Sequence, residues 1–161
     1  MLKPVAMAYD KLMSGAEERC LVEWRTELLG GLSGSVLEVG AGTGASLALY
    51  PAEIETLTLM EPAKHMRSQL QQRVDALRPD AVIVDGGAES LPFPDASFDA
   101  VVSSLVLCSV RDQSKVLSEL RRVLRPEGRF VFIEHVAATD RPERLKWQHR
   151  LEPIWKRLVG N

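Results

Sequence analysis

The 161-residue chain is 45% apolar and 26% charged, which is enough for one ordinary core and excludes two domains of typical size. Its 20 basic and 22 acidic side chains leave a net charge of −2, so no overall field draws it to nucleic acid, and no such partner is expected. No apolar run approaches the ~20 residues that span a bilayer, and residues 1–10 lack the features of a signal peptide.

Cys20 and Cys108 stand in apolar surroundings without partners at metal-ligand spacing, as expected for reduced core thiols of a cytoplasmic protein that holds no metal. Leu21, Val22, Leu28, Leu29 and the stem of Arg25 recur at helical spacing, and Gly30, Gly31 and Gly34 stop that helix. Residues 35–39 read as a short strand ending in a glycine-rich loop, after which good helix formers resume at 45–49. The pattern repeats with a strand at 56–60 and a helix over 63–77, opened by Pro62, with Met66, Leu70, Val74 and Leu77 on one face. Further strands are expected at 81–84, 100–106 and 129–135, each a nearly unbroken apolar run, as buried parallel strands require. Between the last two, Asp112 caps a helix that buries Val116, Leu117, Leu120, Val123 and Leu124 and is closed by Pro126 and Gly128. This alternation implies a doubly wound, mostly parallel, Rossmann-like α/β sheet with helices on both faces and ligands beyond the carboxyl ends of its strands.

Gly40, Gly42 and Gly44 follow the first strand directly, where missing side chains permit a tight turn and a close ligand. Gly40, Gly42 and Ala45 also satisfy a dinucleotide fingerprint, and Glu61 suits a ribose hydroxyl of either NAD or S-adenosylmethionine. Glu38 separates the two, because a carboxylate there repels a pyrophosphate and favours an ammonium or sulfonium group. The alternative for Glu38 and Glu61 is a strand-end carboxylate bonded to backbone amides with no ligand role.

The segment DGGAESLPF at 85–93 completes a pattern. VLEVGAGTG at 36–44, LMEP at 59–62, GGAESLPFPDASFDAVVSS at 86–104 and ELRRVLRPEGRF at 119–130 resemble successive motifs of the class I methyltransferases. The nearest resemblance is to the quinone and sterol methyltransferase branch, and LVLCSV at 105–110 with EHV at 134–136 is similar to methyltransferase-like thiol methyltransferases. The resemblance implies S-adenosylmethionine as cofactor, S-adenosylhomocysteine as product, and a small apolar acceptor methylated on oxygen, sulfur or carbon. It places the methionine portion against Glu38, Gly40, Ala41, Gly42, Thr43 and Gly44, and the ribose against Glu61 and Pro62. Gly87, Ala88 and Glu89 then meet the adenine edge, and Ser104 with Leu105 the cofactor's inner side. Gly87 departs from the family, which commonly carries Asp or Asn there, so the backbone or Glu89 must take that role. Tyr9 resembles an aromatic that closes over the cofactor, with simple packing as the alternative.

Methyl transfer needs chiefly an acceptor held on axis at near-attack distance. His135, after the fifth strand, is the candidate catalytic base, with backbone bonding as its alternative role, whereas His65 and His149 fall on solvated helical surfaces. The family adds two strands after the fifth, and their absence leaves 130–133 as a sheet edge. The tail folding back, a second copy forming a homodimer, or a longer parent protein would each cover it. Between 140 and 161, six basic residues against three acidic ones, with two tryptophans, are compatible with weak attachment to an anionic membrane surface. One domain is expected over 1–161: an N-terminal helical segment (1–34), a cofactor-binding core (35–136) and an amphipathic tail (137–161). Two competing functions are a cofactor-binding domain without activity and an NAD-dependent oxidoreductase. The latter leaves Glu38 and the segment 86–93 unexplained.

Overall fold

The structure, a computed structural model, describes residues 21–134, 139, 141–143, 145, 146 and 150. Helix α1 (Val22–Leu29) is followed by β1 (Gly34–Val39), β2 (Ile54–Met60), α2 (Lys64–Leu77), β3 (Val82–Val84), β4 (Phe98–Ser104), α3 (Gln113–Val123) and β5 (Leu124–Ile133). The strands form one sheet in the order β3-β2-β1-β4-β5, with every pairing parallel. The apolar runs in β1 and β4 are central and buried on both faces, as continuous hydrophobic strands demand. Leu29, Val36, Leu47, Tyr50, Leu70, Val74 and Val102 pack on one face. Leu37, Val39, Phe98, Val101, Val116, Leu120 and Val123 pack on the other, so the sheet is covered on both sides.

Helical spacing identifies the buried stripe of α2 as Met66, Leu70 and Val74, and that of α3 as Val116, Leu120 and Val123. Asp112 caps α3 by accepting the Lys115 amide at 3.0 Å, and Arg121 and Arg122 complement the dipole in the last turn. Leu77 and Leu117, expected in these stripes, are instead exposed. Leu77 sits in the final turn of α2, and Leu117 on the flank of α3.

The helix expected at 45–49 is only a 3-10 turn, Leu47–Leu49. Tyr50 precedes Pro51, whose ring disfavours the helical conformation for its neighbour, and Tyr50 is extended at φ −70° and ψ 135°. Strand β5 begins at Leu124, earlier than the expected 129, and Pro126 lies within it. An edge strand tolerates the missing amide, and β5 is at the edge of the sheet formed by the described residues. Phe132 is 56% exposed there, stacked on Phe130 at 5.2 Å. The tail positions proposed to cover it lie largely outside the described residues.

Candidate cofactor site

All five strands are parallel, so Val39, Met60, Val84, Ser104 and Ile133 end on the same side of the sheet. The turn after β1 leaves that edge with Gly40, Gly42 and Gly44 at φ +63°, +58° and +87°, a region that L side chains avoid. Two of these glycines are required by close packing. A Cβ on Gly40 would meet Val106 Cγ2 at 2.5 Å, and one on Gly44 would meet Leu70 Cδ1 at 2.8 Å. At Gly42 it would meet nothing within 4 Å, so the turn has open space at its centre.

Two carboxylates flank the turn. Glu61 Oε2 accepts the Gly42 amide at 3.0 Å and Oε1 accepts the Ala63 amide at 2.8 Å, and the Ala41 amide donates to Met60 O at 3.0 Å. Burial pushes the Glu61 carboxyl above its ordinary range, against those two amide bonds and the charge of Arg67. Arg67 itself donates to the carbonyls of Glu61 and Pro62 and pairs with Asp85, tying the end of β2 to the end of β3. Glu38 is buried in β1 and accepts the Ser46 hydroxyl at 2.9 Å through Oε1. Burial raises its pKa, opposed by Ser46, by the nearby Tyr50 hydroxyl and by the positive charge of Arg25. Glu38 Oε2 and the Tyr50 hydroxyl are buried without hydrogen-bond partners.

The other expected residues assemble around this edge. Thr43, Ala41 and Ala88 are buried. A Cβ on Gly87 would lie 3.4 Å from Glu89 Oε2, so the Glu89 carboxylate stands beside the position that lacks the family's Asp or Asn. Glu89 Oε1 accepts the Arg111 amide at 3.2 Å. Leu105 adopts φ +59°, its amide donating to Ile133 O at 2.7 Å, and Ser104 Oγ accepts from Arg25 Nη2 at 3.0 Å. His65 is exposed on α2. His135, His149, Tyr9 and Cys20 lie outside the described residues. Among the described residues no group of His, Cys, Asp or Glu could hold a metal ion, and no helix is long and apolar enough to cross a membrane.

Helical spacing accounts for Arg25 only by its apolar stem. The structure buries the guanidinium beside a small crevice whose lining includes Ser46, Ser103 and Ser104. The signal available was an arginine at a core position of an apolar helix stripe. Glu119 and Arg122 enter the sequence only as part of the ELRRVLRPEGRF motif. Glu119 accepts the Leu91 amide, and Arg122 reaches the carbonyls of Leu91 and Phe93, so α3 clamps the segment that follows the expected adenine contacts.

A glycine turn at the carboxyl edge of a parallel sheet, flanked by two buried carboxylates, defines a Rossmann-like α/β domain of the cofactor-binding class. The family model described as methyltransferase domain matches residues 37–132, and the chain belongs to that family. Its cofactor is S-adenosylmethionine, which removes the oxidoreductase alternative. The chain is 40% identical over 135 residues to the human thiol S-methyltransferase TMT1B, covering 81% of this chain and 55% of that protein. It is 34% identical over 139 residues to the ubiquinone/menaquinone biosynthesis C-methyltransferase UbiE of Vibrio campbellii, covering 81% and 54%. A SAM-dependent methyltransferase structure from Thermotoga maritima superposes with a TM-score of 0.70 at 21% identity, over 98% of this chain and 70% of that one, and shares its fold. The chain spans about half the length of the curated relatives it matches.

Proposed function

We propose that this chain transfers a methyl group from S-adenosylmethionine to a small apolar acceptor, with a thiol as the first class to test. The observation that carries this reading is the open, positive-φ turn at Gly42 between the buried carboxylates of Glu38 and Glu61. Negative groups on both sides oppose a pyrophosphate and suit a ligand carrying an ammonium, a sulfonium and a ribose diol. The residues therefore fit the cofactor: Gly40, Ala41, Gly42, Thr43 and Gly44 with Glu38 would hold its methionine portion, Glu61 and Pro62 its ribose, and Gly87, Ala88 and Glu89 its adenine edge. Ser104 and Leu105 would line its inner side.

Bound there, S-adenosylmethionine supplies a methyl group already activated on a sulfonium. The residues of the chain then have to align the acceptor and exclude water, which is the larger part of catalysis for an in-line displacement. The thiol preference rests on the likeness to thiol S-methyltransferases such as human TMT1B. The UbiE relative is a C-methyltransferase, so cofactor binding is the property to test first.

Calorimetric titration with S-adenosylhomocysteine needs no acceptor. Wild type should bind, and Glu61→Gln and Gly42→Val should each weaken binding by about tenfold or more, through a lost charged acceptor and a filled cradle. A folded wild-type chain that gives no heat, or variants that bind like wild type, would remove this reading.

A further inference from the structure

Glu134 directly follows β5, and the cofactor contacts above leave it unused. Its Oε1 accepts three hydrogen bonds: from Ser103 Oγ at 2.9 Å, from the Val106 amide at 3.0 Å and from the Leu107 amide at 3.1 Å. That oxygen pins the loop after β4 in the conformation that gives Leu105 its positive φ and presses Val106 onto Gly40. The other oxygen, Oε2, is buried and has no hydrogen-bond partner. Buried polar atoms are nearly always satisfied, and an unpartnered one calls for a donor from outside the chain, a water or a ligand. Glu134 stands beyond the carboxyl ends of β4 and β5, on the side of the sheet where ligands of open parallel sheets bind.

We propose that Glu134 divides its two oxygens between two tasks: Oε1 holds the loop, and Oε2 accepts the hydrogen bond of the acceptor's thiol or hydroxyl. The proposal rests on the methyl-transfer reading. The S–H or O–H is thereby fixed in direction, which turns a lone pair of the acceptor atom toward the incoming methyl carbon. As the new bond to carbon forms, the sulfonium carbon–sulfur bond breaks to leave S-adenosylhomocysteine, and the acceptor's proton passes along this bond to Glu134 Oε2, which later releases it to solvent.

Glu134→Gln separates the tasks in the full chain. The amide oxygen keeps the three bonds of Oε1, because turning the amide over would set its NH2 against three donors, and an N–H then replaces the acceptor at Oε2. With benzyl mercaptan and phenol as probe acceptors, kcat/KM is expected to fall at least about tenfold, while S-adenosylhomocysteine affinity and the unfolding midpoint stay near wild type. Unchanged turnover would make Glu134 a brace only, and a tenfold loss of S-adenosylhomocysteine affinity would assign the missing donor to the cofactor. Either result overturns the proposal. So does a wild type that binds S-adenosylhomocysteine yet methylates neither probe, whereas absent S-adenosylhomocysteine binding removes the methyl-transfer reading itself. If the variant does not fold, the wild type still decides. Saturated with S-adenosylhomocysteine, it should bind benzyl mercaptan at least about fivefold more tightly than benzyl methyl sulfide, which lacks the S–H donor, and equal affinities refute the assignment.

Discussion

Arg122 binds the carboxylates of Glu119 and Asp95 and the carbonyls of Leu91 and Phe93 with one guanidinium, using the fork geometry that lysine lacks. Its bond to Glu119, with the Leu91 amide, holds the Glu119 carboxyl at about 2, below its usual 4.5. A carboxylate depressed in the fold contributes stability that is complete above its unfolded pKa and is lost as pH falls through the folded one. Glu38 and Glu61, raised by burial, act in the opposite sense, since their ionisation destabilises the fold as pH rises. Glu119→Gln should therefore flatten the acid limb of the stability curve between roughly pH 4.5 and 2, read by urea unfolding at stepped pH. Parallel curves for variant and wild type would refute this role. None of these contacts was legible in the sequence, where ELRR appears only as part of a family motif. Pairing across 28 residues, from Glu119 to Leu91, depends on how α3 lies over the loop.

At the scale of elements, the glycine turn was legible in position, because strand, glycines and Glu38 are local in sequence, whereas Glu61 reaches Gly42 from 19 residues away. Which glycine tolerates a side chain was not legible, since that depends on Val106 and Leu70, brought in from β4's loop and α2. Gly42→Ala should cost about 1–2 kcal/mol, the strain of an L residue in the left-handed region, and still fold. Gly40→Ala adds a clash with Val106 and should cost at least about 1 kcal/mol more. Chemical denaturation of the two variants measures the difference, and equal costs would contradict the packing described. The helix expected at 45–49 failed for a local reason that was present in the sequence: Pro51 sets Tyr50 extended. The early start of β5 was hidden, because Arg125, Pro126 and Glu127 carry no strand signal and lie in the register irregularity between Leu124, opposite Phe98, and Arg129, opposite Ala100.

For the whole molecule, the fold class followed from alternating apolar runs and helical stripes, whose period is set by the core they face, whereas the strand order β3-β2-β1-β4-β5 came only with the structure. Strand β1 is buried between β2 and β4, whereas among the described residues β3 pairs with β2 alone and Val82 is 57% exposed. Native-state hydrogen exchange should therefore be slowest at the amides of 36–39 and 100–103, and faster by at least about tenfold at 82–84. Uniform protection across the sheet would argue against this hierarchy. Val106 fills the space that Gly40 leaves, and Glu134 fixes Val106 from the other side. Val106 thus joins the glycine turn to the loop that borders the proposed acceptor site, so on the proposed reading one side chain touches both ligand sites. Affinities joined in this way are reciprocal: whatever factor the cofactor confers on acceptor binding, the acceptor returns to the cofactor.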